Sequence, residues 1–238
     1  MNEKQKKETP ESEIVVLTGA GMSAESGIRT FRASDGLWED YPIAEVATPE
    51  GFARNPELVL RFYNDRRRQL NEVTPNQGHH DLSLLMKKLS VTLISQNVDD
   101  LHQRAGSNCI SMHGQLRSAL CNLCHTRSPW SEDIKIDSQC PACGAKGKLR
   151  PDIVWFGEMP YYLEKIGEAL AKCRIFVAIG TSGTVYPAAG FVDQLPSDCR
   201  TIEIGPIETE ISKLFQEHIR LPASSGVKKL AQLLKADL

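Results

Sequence analysis

The sequence predicts an α/β protein: a doubly wound, Rossmann-like parallel sheet carrying a smaller inserted domain. Three observations predict it. Apolar, β-branched runs at residues 14–17, 91–94 and 175–179 read as strands buried on both faces. Segments with apolar residues at helical spacing stand between these runs. Two close cysteine pairs, Cys121/Cys124 and Cys140/Cys143, interrupt the alternation.

At 238 residues the chain can bury one good core and a small second module. Its 28 Lys and Arg against 30 Asp and Glu leave a net charge of −2, so no electrostatic case exists for bulk nucleic-acid or membrane binding. Residues 1–12 are polar, carry mixed charge and read as a flexible tail. They lack the apolar core of a signal peptide, and no apolar run approaches the ~18 residues of a membrane span, so a cytoplasmic protein is expected. The oligomeric state stays open, with a monomer compatible.

The first run, Ile14-Val15-Val16-Leu17-Thr18, turns at once into Gly19-Ala20-Gly21-Met22-Ser23-Ala24-Glu25-Ser26-Gly27. Glycines let a strand turn sharply and a ligand approach the backbone. Ser23-Ala24-Glu25-Ser26 is expected to open a helix whose free N–H groups face a pyrophosphate. Many α/β proteins turn on glycine with nothing bound. Here Ser23 and Ser26 add donors, and Phe31-Arg32 add an aromatic lid and a fixed cation, which favours a phosphate or dinucleotide site. Ala33 to Pro42 has no clean period and reads as a loop whose aromatics can close over a ligand.

Thr48-Pro49 and Asn55-Pro56 each set a capping residue before a proline at the first helical position. The second helix turns Leu58, Val59 and Phe62 inward and puts Tyr63 and Arg66 on one face. Taken alone, Arg66-Arg67-Arg68 is most simply a solvated basic face. Leu82, Leu85, Met86 and Leu89 mark an amphipathic helix, and the strand at 91–94 then runs into Ser95-Gln96-Asn97-Val98-Asp99-Asp100. Amides and carboxylates just past a strand's C-terminal end sit where open α/β sheets bind ligands. Asp99 or Asp100 serving only as a helix cap is the plainer alternative. His113-Gly114 follows the apolar patch Ile110-Ser111-Met112. By itself a lone histidine is more often structural than a general base.

Cys121-x2-Cys124-x15-Cys140-x2-Cys143 is the strongest local signal. Two such knuckles bring four thiolates to a tetrahedral Zn²⁺ and leave no position for water, so a zinc ribbon with a structural ion is expected. His125 is read as a bystander, and Cys109, Cys173 and Cys199 as isolated buried thiols. Arg150 to Glu158 is an extended run whose edge can accept a further strand. Leu163, Ile166 and Leu170 mark a helix. The strand at 175–179 ends in Gly180-Thr181-Ser182-Gly183, small hydroxyl residues suited to ribose or phosphate. A short strand at 201–204 and a helix carrying Val227, Leu230 and Leu234 complete the alternation. The expected divisions are a sheet domain over 13–34, 76–114 and 149–238, with a helical module at 35–75 and a zinc module at 115–148 forming the small domain.

Together these runs resemble the sirtuins, the NAD-dependent protein deacylases, over nearly the whole chain from Ile14 onward. The motifs that carry the resemblance are Gly19-Ala20-Gly21 with Ser23-Ala24-Glu25-Ser26-Gly27, Phe31-Arg32, Gln96-Asn97-Val98-Asp99, His113-Gly114, the four cysteines, Val154-Trp155-Phe156-Gly157-Glu158 and Gly180-Thr181-Ser182. Two positions depart from the common pattern: Thr30 stands where many sirtuins have aspartate, and Gly205 where asparagine often follows the late strand. The resemblance implies that NAD, as co-substrate, is held by Gly19, Ala20, Gly21, Ser23, Ala24, Glu25, Thr30, Phe31, Arg32, Trp38, Gln96, Asn97, Asp99, Gly180, Thr181, Ser182, Gly205 and Ala223. It makes His113 the general base on a ribose hydroxyl and Asn97 its catalytic companion. It implies an acyl-lysine substrate lying along Val154, Phe156, Gly157, Glu158 and Val185, with free lysine, nicotinamide and O-acyl-ADP-ribose as products. Tyr63, Arg66 and the small Ala47 resemble the pattern of the class III sirtuins that prefer succinyl- and malonyl-lysine. A guanidinium fork beside a hydroxyl suits a distal carboxylate. The implied activity is therefore dual, on acetyl- and succinyl-lysine, with malonyl-lysine a further substrate.

Two other classes share parts of the pattern. A Rossmann dehydrogenase uses the same glycine turn but needs an acidic residue ending a second strand about 20 residues on. Glu39 and Asp40 lie near that distance with no strand before them. A zinc-ribbon nucleic-acid binder accounts for the cysteines but leaves the glycine run unexplained in a chain that is not basic.

Overall fold

The computed structural model describes residues 14–29, 37–38 and 40–236. The expected tail and the Thr30-Phe31-Arg32 run lie outside these residues. The chain alternates β1 (Ile14–Thr18), β2 (Leu37–Trp38), β3 (Tyr41–Pro42), α1 (Ile43–Val46), α2 (Pro49–Arg54), α3 (Pro56–Gln69), α4 (Gln77–Lys88), β4 (Val91–Ser95), α5 (Leu101–Arg104) and β5 (Cys109–Ser111). There follow β6 (Gly114–Cys121), β7 (Arg127–Pro129), β8 (Leu149–Ile153), α6 (Leu163–Ala171), β9 (Ile175–Ile179), β10 (Arg200–Ile204), β11 (Glu217–Ile219) and α7 (Ala223–Leu233).

Six strands form one parallel sheet in the order β11-β10-β9-β1-β4-β5. β1 pairs with β9 on one side and β4 on the other, so the strand order reverses there and a crevice opens at the C-terminal strand ends. Alternation along β1 feeds two cores. Val16 joins Leu93, Val177 and Ile202 under α4 and α7, through Leu82, Leu85, Val227 and Leu230. Val15 and Leu17 join Phe176 under α6, through Ile166 and Leu170. The three β1 side chains are at most 2% exposed, and each such burial contributes roughly 1.5–3 kcal/mol.

The inserted parts surround a second, antiparallel sheet in the order β7-β6-β8. Val59, Phe62 and Tyr63 of α3 pack with Leu116, Ile153 and Trp155. Leu60 packs with Ala119, Ile134, Cys121 and Cys140 beside the cysteine knuckles. Both proline-led starts form as the sequence predicts. Thr48 Oγ1 accepts from Gly51 N at 3.0 Å and Asn55 Oδ1 from Leu58 N at 3.1 Å.

Four expectations are corrected. The stretch read as a loop carries a two-residue antiparallel hairpin, Leu37–Trp38 with Tyr41–Pro42, so a short strand does stand before Asp40. After β1 there is no α-helix but two 3-10 turns, Ala20–Met22 and Ala24–Ser26, because Gly27 takes a left-handed φ of 91° and ends the second at once. The basic run on α3 is solvated only at Arg68, which is exposed and paired with Asp65 and Asp133. Arg66 and Arg67 are 7% and 1% exposed, and Arg67 donates to Leu116 O and Asn64 Oδ1, each at 2.6 Å. Burial lowers the Arg67 pKa to about 10. Cys173 and Cys199 are buried as expected but not isolated, since their sulfurs lie 3.7 Å apart; Cys109 is half-buried.

Candidate active site

The glycine turn is shaped by close backbone approach. A Cβ on Gly21 would stand 2.7 Å from Gly180 Cα, so the loops after β1 and β9 touch without side chains between them. Gly21 N donates to Gly180 O at 2.8 Å. Gln96, just past β4, ties in the third loop: its N donates to Thr18 O at 2.9 Å and its Nε2 to Thr181 Oγ1 at 3.1 Å.

Ser23, Asn97 and Asp99 form one buried chain below this turn. Asn97 Nδ2 donates to Ser23 Oγ at 3.1 Å, and Ser23 Oγ donates to Asp99 Oδ2 at 2.8 Å. Asp99 Oδ1 accepts from Leu101 N at 3.0 Å, a turn just ahead of α5, whose N-cap Asp100 makes no side-chain cap bond, so the plain capping alternative does not account for either carboxylate. Burial raises the Asp99 pKa, and the bonds from Leu101 and Ser23 oppose the rise. His113 Nδ1 lies 3.0 Å from Gln96 O. A carbonyl only accepts, so Nδ1 carries the proton and Nε2 is left as the basic atom. Burial lowers the His113 pKa, against the opposing bond to Gln96.

These groups line one cavity of about 1110 Å³, room for a dinucleotide together with an acylated side chain. Gly19, Ala20, Gly21, Ser23, Ala24 and Glu25 line it, as do Trp38, Gln96, Asn97 and Asp99. Gly180, Thr181, Ser182, Gly205 and Ala223 lie on the same wall system. The Glu25 carboxylate is engaged elsewhere: it accepts from Ser224 N at 2.9 Å and Ser224 Oγ at 2.7 Å, clamping the start of α7 to the glycine turn. Ala47, Tyr63, Arg66, Val154, Phe156, Gly157, Glu158 and Val185 line the cavity's other part.

Tyr63 is fully buried, 5.8 Å from Trp38 between ring centroids. The Arg66 guanidinium stacks on the Phe62 ring at 3.2 Å and donates to Phe62 O at 2.6 Å. The Glu158 carboxylate holds Arg150 through two bonds of 2.8 Å and accepts from Trp155 N, so Glu158 shapes the wall rather than presenting a charge to it. Phe156 N is bonded to Ala47 O at 2.9 Å, and Gly157 turns the segment with a φ of 90°. Arg29, Gln69 and the stretch Pro206 to Glu210 also line the cavity, though nothing in their local sequence marks them. They come from loops whose positions the fold decides. Trp155 carried a signal: a buried indole N–H must find an acceptor.

The four cysteine sulfurs lie within 4.8 Å of one another, with Cys121–Cys143 at 3.9 Å and Cys124–Cys140 at 3.8 Å. A tetrahedron with Zn–S near 2.3 Å has edges of about 3.8 Å, so the donor set fits one closed zinc site. His125 is exposed and not part of it.

A parallel sheet with a polar crevice at its switch point, a glycine turn and a buffered histidine defines a dinucleotide-using enzyme with a structural metal ribbon. Residues 19–187 match the Sir2 family, and the chain belongs to that family. It is 55% identical over 222 residues to an NAD-dependent protein deacylase of Bdellovibrio bacteriovorus, covering 91% of this chain and 94% of that one. It is 53% identical over 215 residues to an NAD-dependent protein deacylase of Pasteurella multocida, covering 88% and 92%. A solved Sir2 homolog–NAD complex superposes with a TM-score of 0.84 at 38% identity, covering 93% of this chain and 89% of that chain.

Proposed function

We propose that this protein is an NAD-dependent protein lysine deacylase in which His113 is the general base. The observation that carries the reading is the His113–Gln96 bond, which leaves a neutral Nε2 in a cavity also lined by the glycine turn and the Asn97–Ser23–Asp99 chain. Bound NAD supplies a ribose carbon with nicotinamide as leaving group, and hydroxyls able to accept the acyl group. The backbone of Gly19, Ala20 and Gly21, with Thr181 and Ser182, would hold its diphosphate and ribose end; Asn97 and Asp99 would orient the nicotinamide end. Thr30, Phe31 and Arg32, outside the described residues, are assigned to NAD by the resemblance alone. A near-neutral base beside the buried Asn97–Ser23–Asp99 chain suits proton removal from a ribose hydroxyl. The substrate is an acylated lysine of a protein, its backbone lying between residues 154–158 and 183–186. Residues 35–75 and 115–148 act as one small lobe, a reading supported by the bonds between Asn64 and Ile134 in both directions, at 3.0 and 2.9 Å.

The acyl group is acetyl or succinyl, with malonyl included. Tyr63 and Arg66 line the cavity beside small, buried Ala47. A buried guanidinium and a hydroxyl favour a distal carboxylate, while water in the gap allows acetyl. Arg66→Met should lower kcat/KM for a succinyl-lysine peptide by about 1.5–3 kcal/mol and leave the acetyl peptide far less affected. Equal losses on both peptides, or no succinyl activity in the parent enzyme, would remove the dual specificity and leave general deacylation.

A further inference from the structure

Beneath Tyr63 and Arg66 lies a third group. Trp155 is 2% exposed, and its Nε1 donates to Tyr63 Oη at 3.0 Å. The indole is clamped. The Arg150 guanidinium carbon lies 3.9 Å from its ring centre, and Phe52 packs at 5.2 Å between centroids. Glu158 holds both partners at once: its two oxygens accept from Arg150 at 2.8 Å, and Oε2 also accepts from Trp155 N at 2.8 Å.

An indole N–H only donates, whereas a phenol accepts and also has one proton to give. The bond from Trp155 is the one the Tyr63 hydroxyl makes among the described residues. With that lone pair taken, the proton of Tyr63 is left for an acceptor in the cavity. Burial raises the Tyr63 pKa, so the proton is retained at neutral pH. We infer that Trp155 is a positioning residue for acyl selectivity: its indole N–H fixes the Tyr63 hydroxyl as a donor, so the pocket end presents two donors, Tyr63 and Arg66, to a carboxylate-ended acyl chain. The inference rests on the acidic-acyl reading above and adds the residue that sets its polarity.

The test is a double-mutant cycle. Values of kcat/KM are measured at saturating NAD for acetyl and succinyl forms of one peptide, with the parent enzyme, Trp155→Phe, Tyr63→Phe and the double variant. Phenylalanine keeps an aromatic ring and removes the N–H. The succinyl-to-acetyl ratio should fall about five- to ten-fold in Trp155→Phe, chiefly through KM of the succinyl peptide, the size of one lost hydrogen bond. In the Tyr63→Phe background the same change should move the ratio less than about two-fold, because the partner is gone. An equal fall in both backgrounds would mean that ring shape, not the N–H, is felt, and would overturn the inference. So would an unchanged ratio in Trp155→Phe. Where Arg66→Met loses succinyl activity and Trp155→Phe keeps it, only this inference fails; a parent enzyme inactive on succinyl-lysine removes both readings. If Trp155→Phe does not fold, the benzothienyl analogue of Trp155, with sulfur in place of N–H, makes the same comparison.

Discussion

His113 donates Nδ1–H to Gln96 O, so a single backbone carbonyl selects the tautomer that leaves Nε2 free to take a proton. His113→Ala should lower turnover at least about a hundred-fold, the scale of a lost general base, while zinc content and melting temperature stay at parent values. Burial lowers the His113 pKa below its ordinary value of about 6.5. The neutral form is the active one, so activity should hold as pH falls past neutrality and drop through that lowered pKa. A pH–kcat/KM profile with its acid midpoint above 7 would contradict the assignment. At this scale the sequence was legible where chemistry came from a compact motif: the glycine turn, Gln96 to Asp99, and His113 all line one cavity. It was not legible at Arg67. A run of three arginines reads as solvated, and the group that buries Arg67 is Leu116 O, 49 residues away.

The element that links the cysteine cluster to the cavity is α3. One side of it carries Tyr63 and Arg66 to the cavity. Another packs Leu60 against Ala119, Cys121 and Cys140, while Asn64 bonds both backbone groups of Ile134 between the knuckles. Zinc-binding energy is folding energy in such a ribbon. Cys140→Ala should therefore release the metal, lower the melting temperature, and reduce activity on acetyl and succinyl peptides alike, although no cysteine lines the cavity. A folded, metal-loaded Cys140→Ala enzyme, judged by elemental analysis and thermal melting, would refute the four-thiolate site. The long apolar strands and the capped helix starts were readable because local pattern decides them. β6 was not: its run of Gly, Gln, Leu, Arg, Ser, Ala, Leu and Cys has no clean alternation, and its pairing with β8 is broken by an irregularity between Gln115 and Ala119. The expected helix after β1 failed for a different reason, since Gly27 ends the second turn with a left-handed backbone.

Across the whole molecule, the sheet order places three loops at one crevice, and two buried histidines sit behind it. His79 on α4 and His102 on α5 lie 4.9 Å apart between ring centroids, and His102 Nε2 is 3.0 Å from Thr18 Oγ1 at the end of β1. Burial, helped by repulsion from His80, lowers the His79 pKa to about 4, and burial, helped by repulsion from His79, lowers the His102 pKa to about 3. Unfolded, both titrate near 6.5, so below that pH the unfolded chain binds more protons than the folded one. Stability should be level above pH 7 and fall as pH drops below about 6.5, with a slope near 1.4 kcal/mol per pH unit for each histidine until the folded values are reached. Urea melts at a series of pH values measure it; a flat midpoint between pH 7 and 5 would contradict the buried neutral pair. Among the described residues no helix is long and apolar enough to cross a membrane.

The central claim is that acyl transfer from lysine is coupled to NAD cleavage at this crevice. Mass spectrometry of a single-turnover mixture of enzyme, NAD and an acyl-lysine peptide tests it most directly. The account predicts equal amounts of deacylated peptide, nicotinamide and O-acyl-ADP-ribose, with deacylated peptide and O-acyl-ADP-ribose formed at least about a hundred-fold more slowly by His113→Ala. Free carboxylic acid formed without nicotinamide, or NADH in place of nicotinamide, would contradict it.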